Sequence, residues 1–437
     1  MKKVVKFGGS SLASAKQFKK VGDIIRSDKS RRYVIPSAPG KRNDKDEKVT
    51  DMLYQCYEAA STGGAYKKIL EKIKSRYEEI IDGLELNLNL THEFETIEEN
   101  FVNKAGRDYA ASRGEYLNGL VMAEYLGFEF VDAADVVFFH EDGSFDAEAT
   151  NRELGERLES VERAVIPGFY GATADGTVKT FSRGGSDVTG SLVAKAIHAD
   201  MYENWTDVSG FLTADPRVVE NPREIRSITY KELRELSYMG ASVLHEDAMF
   251  PVHKAGIPTN IRNTNDPSHP GTIISLNAPH DDLHPTITGI AGRKGFSVIS
   301  IEKAMMNSEL GFGRKVLQAF EENCVSFEHL PTGIDTLCVV VSGEVFAPKR
   351  DIILSRIVHE TNPDTITVYD NMSIIATVGR GMVHNCGTAA RLFAAMSKAG
   401  INVRMIDQGS SELSIIVGVN DADYESTIQA IYNAFVK

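Results

Sequence analysis

The chain has 437 residues, too many for one ordinary core, and its 42% apolar and 25% charged content is that of an average soluble globular protein. A net charge of −13 argues against a general nucleic-acid or membrane-surface partner, since either demands a basic face. Four scattered cysteines (Cys56, Cys324, Cys338, Cys386) show neither disulfide-framework nor zinc spacing, and no run approaches the roughly 20 apolar residues of a membrane span, so a reduced, cytoplasmic setting is expected.

Val4-Val5-Lys6-Phe7 reads as a strand ending on Gly8-Gly9-Ser10-Ser11, too short for a signal-peptide core. A helical pattern follows, with Phe18, Val21, Ile24 and Ile25 on one face. Arg32-Tyr33-Val34-Ile35 is a second strand, closed by Pro36-Ser37-Ala38-Pro39-Gly40. Strand, helix and strand with breakers at the strand ends imply a parallel sheet covered by helices. Residues 46–127 are helical in pattern, strand character returns at 128–139 and 164–169, and βα alternation continues to Ile274. Residues 1–275 therefore read as one domain. Breaker-rich stretches at 265–271 and 278–285 follow.

Beyond them lies a repeat. Ser297–Ile301 matches Ser373–Thr377, the helix after Gly311 matches the helix after Gly387, and Leu337–Val340 matches Leu413–Ile416, each 76 residues apart (373 − 297, 387 − 311, 413 − 337). Two copies of a small β-α-β-β unit are expected, at 285–362 and 363–437.

Neither GxxxxGK[ST] nor a strand-linked GxGxxG occurs. Three loops at strand ends remain. In Lys6-Phe7-Gly8-Gly9-Ser10-Ser11, paired glycines let backbone N–H groups approach phosphate oxygens, and the Lys6 ammonium reaches a transferring phosphoryl; a plain tight turn reads the same way. Arg183-Gly184-Gly185-Ser186-Asp187 opens a small-residue helix, where Arg183 suits a carboxylate and Asp187 suits either a site or a helix cap. In the loop from Trp205 to Arg217, Thr206 and Asp207 can bond a base or ribose and Arg217 can neutralise phosphate, while an Asx turn is the plainer alternative.

In this order the loops resemble the amino-acid kinase family, and within it most closely the aspartokinases. Ser112-Arg113-Gly114-Glu115 in the helical segment and Gly240 to His245 belong to the same pattern, and the terminal repeat is similar to paired ACT domains, so the resemblance spans essentially the whole chain. It implies an α/β fold: an amino-acid-kinase-type parallel-rich sheet sandwiched by helices, then two ferredoxin-like βαβ ACT domains. The implied activity is ATP-dependent phosphorylation of the β-carboxylate of L-aspartate, with Mg²⁺, as the first step towards lysine, threonine and methionine. Lys6 and the Gly8-Gly9-Ser10 turn would stabilise the γ-phosphoryl, and Asp187 would position Lys6. Arg183 would clamp the α-carboxylate, Glu115 would take the α-ammonium and Ser37 would make a further substrate contact. Thr206, Asp207 and Arg217 would hold ATP, and no protein side chain is assigned as a metal ligand. A carboxylate acceptor is already ionised, so no general base is needed, and the histidines read as structural.

Two positions depart from the family pattern. Leu212 stands where an aromatic residue often flanks adenine. Ser242 stands where a lysine often reaches the phosphates, so either another lysine substitutes or ATP binds more weakly. The ACT pair implies an amino-acid effector, lysine or threonine, with Met306 and Glu328 as candidate contacts and lysine favoured by the Glu328 charge, and a homodimer or dimer of dimers. No dehydrogenase segment is appended, so a single activity is expected. The competing readings are a family member acting on glutamate, acetylglutamate or UMP, and a catalytically silent amino-acid sensor.

Overall fold

The runs around Val4-Val5, Val34-Ile35 and Tyr202 are buried on both faces of their strands, as expected inside a helix-covered parallel sheet. The computed structural model describes residues 1–182, 184–240, 246–279 and 286–436, and forms two compact units. The first comprises 1–211, 226–230 and the described part of 243–279; the second comprises 212–225, 231–240 and 286–436.

The first unit begins β1 (Lys3–Phe7), α1 (Ala15–Arg26), β2 (Arg31–Pro36). Four helices then run in succession: α2 (Val49–Ser61), α3 (Lys67–Gly83), α4 (Thr91–Val102) and α5 (Arg107–Leu126). α5 buries residues around nearly its whole circumference, from Ala110 to Ala123, so it runs through the middle of the helical segment. The strand expected over 128–139 is reduced to β3 (Glu129–Phe130) and β4 (Phe138–Phe139), with a 3-10 turn at Ala133–Asp135 between them. Asp132 caps that turn by accepting from the Ala134 N–H, a local bond that competes with strand pairing. Next come β5 (Phe145–Asp146), α6 (Ala147–Glu159), β6 (Ala164–Val165), β7 (Tyr170–Thr173), β8 (Val178–Thr180), α7 (Gly185–Ala196) and β9 (Met201–Thr206). The chain then runs through β10 (Phe211–Leu212), β11 (Glu224–Ile225), β12 (Ser227–Thr229), α8 (Tyr230–Tyr238), α9 (Glu246–Ala255), β13 (Thr259–Asn263) and β14 (Thr272–Ser275), of which β11 and nearly all of α8 belong to the second unit.

The main sheet has the order β12-β14-β13-β9-β1-β2-β6-β3, parallel except between β13 and β14. Val5, Phe7, Val34 and Trp205 point into a core shared with α1 to α5. Alternation along β1 turns Lys6 to the other face, towards α7. No described helix is long and apolar enough to cross a membrane.

The second unit holds β15 (Gly289–Glu302), α10 (Phe312–Glu321), β16 (Phe327–His329), β17 (Thr336–Ser342), α11 (Gly343–Phe346) and α12 (Arg350–Thr361). It continues with β18 (Thr365–Val378), α13 (Thr388–Lys398), β19 (Met405–Asp407), β20 (Ser414–Asn420) and α14 (Tyr424–Phe435). They form one antiparallel sheet, β16-β17-β15-β18-β20-β19. The leading strands keep the 76-residue offset (365 − 289), but the sheet pairs Ser297 with Val341 and Ser373 with Val419, so the last strands correspond at 78 (419 − 341) rather than 76. The added residues enter between the helix start and the strand after it. Phe296–Glu302 pairs with both β17 and β18, whereas Gly289–Arg293 pairs with β18 alone among these strands. In return, the first half of β18 pairs only with β15 and the second half also with β20. Each three-stranded half thus takes its fourth strand from the other half's leading strand. A side-chain contact, His329 Nδ1 to Asp407 Oδ2 at 2.9 Å, links the edge strands β16 and β19.

A side chain begun at Gly190 in α7 would stand 2.6 Å from the buried Tyr202 hydroxyl and 2.7 Å from its ring. Gly190→Ala is expected to destabilise the first unit by about 1–3 kcal/mol, read as a lowered thermal midpoint; an unchanged midpoint would refute this packing.

Candidate active site

β1 is where the main sheet changes direction: β2 lies on one side and β9 on the other. The crevice beyond the carboxyl ends of such strands is the natural ligand position in an open α/β sheet. Lys6 occupies that end of β1, in register with Ile35 of β2 and Asn204 of β9. Its Nζ lies 2.6 Å from Asp187 Oδ1 in the first turn of α7. Asn204 Nδ2 donates to the same oxygen at 2.7 Å, and the buried Tyr202 hydroxyl reaches the Asp187 carbonyl at 3.3 Å. Among the described residues no side chain caps the start of α7. The Asp187 carboxylate serves Lys6 and Asn204, which aims the ammonium along the strand tips.

The turns after β1, β2 and β9 are tied by main-chain bonds. Gly8 N–H donates to Trp205 O (3.1 Å), Ser37 N–H to Phe7 O (3.1 Å) and Gly40 N–H to Gly9 O (2.8 Å). A Cβ on Gly9 would sit 2.9 Å from Ala38 O, and one on Gly40 2.6 Å from Gly9 C. The two turns are packed backbone to backbone, a contact that only glycine permits. Thr264 bonds the carbonyl of Thr206 through its N–H (2.9 Å) and the Ser11 hydroxyl through its own (2.8 Å), joining the turn after β13 to the others.

Glu115 in α5 faces this crevice from within the protein. It accepts a bond from the Ala38 N–H, yet its Oε2 is buried without a partner. Burial pushes its carboxyl up to about 8, against the pull of the Ala38 amide and of the Lys6 and Arg113 charges. One helical turn on, Asn118 donates to Ser37 O at 2.6 Å and leaves its own Oδ1 buried and unpartnered. Two idle acceptors behind one turn leave a place for a ligand that donates hydrogen bonds, such as an ammonium.

Lys6, Gly8, Gly9, Ser37, Glu115 and Asp187 are thus brought together, with Ser10 in the 3-10 turn after Gly9. Thr206 ends β9, its hydroxyl 3.2 Å from Asp207 Oδ1. Arg183, Ser242 and His245 lie outside the described residues. Arg217 belongs to the second unit, where its guanidinium is 88% exposed and grips Asp215 at 2.6 Å. Leu212 also falls in the second unit and is exposed. Met306, expected to contact an effector, is a core residue packed among Ile299, Phe312 and Val316. Glu328 accepts a bond from the Tyr238 hydroxyl. Asn204 and Asn118 escaped the sequence reading; the polar Glu203-Asn204 pair inside an apolar strand was the signal for one, and the i, i+3 spacing from Glu115 for the other.

The sequence model of the amino acid kinase family matches residues 1–263, and that of an ACT domain matches 375–435. Aspartokinase 3 of Bacillus subtilis is 40% identical over 448 residues, spanning 99% of this chain and 98% of its own. The crystal structure of Clostridium acetobutylicum aspartate kinase superposes with a TM-score of 0.92 at 53% identity, covering 99% of both chains. Escherichia coli aspartokinase III, solved with aspartate and ADP in its R-state, gives 0.74 at 25% identity over the full length of both.

A carboxyl raised in the folded state favours folding at low pH; that contribution is lost as pH climbs from its ordinary value near 4.5 to about 8. Glu115→Gln, neutral throughout, is expected to gain thermal midpoint over the wild type between pH 6 and pH 9. A constant difference across that range would show that Glu115 ionises freely.

Proposed function

This chain belongs to the amino acid kinase family, in its aspartokinase branch, and on that premise we propose that it transfers the γ-phosphoryl of ATP to the β-carboxylate of L-aspartate, giving 4-phospho-L-aspartate and ADP. The observation that carries the choice of acceptor is Glu115: a buried acid with an unsatisfied oxygen, within the field of Lys6. An α-ammonium placed there would pair with it and draw it into its ionised form. The resemblance assigns the α-carboxylate to Arg183.

The reaction needs no base. A carboxylate oxygen forms the bond to the γ-phosphorus, the bond to the bridging oxygen of ADP breaks, and no proton moves. What the protein must supply is alignment and positive charge on the phosphoryl oxygens. Lys6, held by Asp187 and Asn204, supplies the ammonium, and the Gly8–Ser10 turn supplies main-chain N–H groups. Mg²⁺ would neutralise charge on the β- and γ-phosphates. Asp187 is the nearest carboxylate to Lys6 and is already engaged, and among the described residues no three His, Cys, Asp or Glu side chains gather. That donor set fits an ion carried on the nucleotide, with phosphate oxygens and water as its main ligands. Thr206 and Asp207 would bond the nucleoside.

We further propose that the ACT repeat binds an amino acid of the pathway and regulates the kinase, lysine being the first candidate through the Glu328 carboxylate, and that the repeat mediates a homodimer.

Three measurements test the reading. Purified protein with MgATP should release ADP with aspartate and not with glutamate, acetylglutamate or UMP; silence with all four would favour a sensor that has lost catalysis. Lys6→Ala should lower kcat by about 10²–10³-fold with a much smaller change in KM. Affinity for aspartate should rise with pH towards 8, by at most about tenfold per unit as Glu115 sheds its proton, and Glu115→Gln should weaken binding and flatten that profile. Repeating the assay with lysine, threonine and methionine identifies the effector.

A further inference from the structure

Arg76 of α3 is only 3% exposed. A guanidinium so deeply buried is costly unless its donors are used; here both terminal nitrogens are engaged, while Nε is buried without a partner among the described residues. One terminal nitrogen donates to two main-chain carbonyls at once, Gly40 O at 2.7 Å and Ala13 O at 3.0 Å; the other meets Asp46 Oδ2 at 2.6 Å. Ala13 ends the turn that begins at Gly8-Gly9, and Gly40 ends the turn that begins at Ser37. Gly40 is also the residue whose N–H donates to Gly9 O and whose backbone lies against Gly9. One side chain therefore fastens both turns on the side away from the ligand.

The segment after Gly40 is pinned to the same helix. Arg42 bonds Glu79 at 2.7 Å and Asp46 at 3.0 and 3.1 Å, and Glu47 pairs with Lys72. Asp46, shared by Arg42 and Arg76, has its carboxyl held well below the ordinary range, by the Arg42 bond first, so it stays ionised at every working pH.

We propose that Arg76 is a positioning residue for phosphoryl transfer: by bonding Ala13 and Gly40 together it holds the turn facing the γ-phosphoryl and the turn facing the acceptor at one fixed separation. The proposal rests on the kinase reading above. Only a planar fork reaches two carbonyls and a carboxylate in this arrangement, so lysine replaces it in part.

The test uses the full-length chain carrying Arg76→Met, Arg76→Lys or Asp46→Asn. For each, kcat, both KM values and the thermal midpoint are measured, with calorimetric affinities for ADP and for the imido analogue of ATP. Arg76→Met is expected to lower kcat by about 30- to 100-fold, with aspartate KM within about threefold of wild type. It should weaken the imido analogue at least about fivefold more than ADP, because only the analogue carries a terminal phosphate for the Gly8-Gly9 turn. Arg76→Lys should recover part of the loss in kcat. A folded Arg76→Met with near-normal kcat overturns the proposal. So does a lowered midpoint with equal losses for both nucleotides and no recovery by lysine, which marks a purely structural residue. If Arg76→Met does not fold, Arg76→Lys and Asp46→Asn decide by the same nucleotide ratio. Should the wild type fail to turn over aspartate, the kinase reading falls by itself, while the ratio of analogue to ADP affinity still judges Arg76.

Discussion

The contact between Lys6 and Asp187 is the constraint from which the rest of the catalytic unit follows. An ammonium at the end of a central strand would swing freely or bury itself uselessly unless something fixed it, and the Asp187 carboxylate does so from the first turn of α7. Asn204, one strand over, holds that carboxylate in turn. The three residues come from β1, α7 and β9, which meet only because the chain crosses to opposite sides of β1 when it lays down β2 and β9. Sheet order, not local sequence, assembles them. The small residues of α7 have the same origin, since the helix must lie close enough to β9 for its first turn to reach across.

Around that ion pair the protein uses two kinds of rigidity. Near the ligand it relies on main chain: glycine turns packed against one another, with their amides committed to neighbouring strand ends. Behind the crevice it relies on the helical segment, whose central helix α5 brings Glu115 and Asn118 to the back of the Ser37 turn and whose second helix α3 brings Arg76 to the back of two turns. Glu115 is kept in a place that disfavours its charge. That is costly for folding; under the proposed function a cationic ligand would restore what burial takes away.

Much of this was legible in the amino-acid sequence, and the parts that were not share a cause. Glycine pairs at strand ends, a lysine before one of them and an aspartate opening a small-residue helix are local signals, and the fold brings the Lys6 and Asp187 they single out within 2.6 Å of each other. The helical block between residues 46 and 127 was equally plain from periodicity, and α2 to α5 occupy it. What periodicity could not supply was which face of which element meets which other. Met306 read as a pocket residue because it precedes a helix, yet Phe312 and Val316 enclose it in a core. Arg217 carries both of its sequence readings into the structure: its N–H and guanidinium bond Asp215 two residues back, in an Asx-type turn, and the guanidinium itself stays exposed. Arg76 gave no signal at all, because a lone arginine in a charged helix looks like any solvated surface residue. The repeat was visible, but its offset drifted by two because matching residue types along a strand does not reveal which neighbours they pair with.

The exchanged strands of the second unit bear on how such a chain can change over time. In sequence the repeat resembles two beads on a string, each free to be lost, copied or traded for a bead of another specificity. The sheet allows no such piecemeal commerce, for removing either copy strips the survivor of an edge and leaves a row of unpaired amides open to aggregation. Recombination in this lineage, or in a laboratory library built from it, must therefore carry both copies as one cassette, with joints placed before residue 289 and after residue 435.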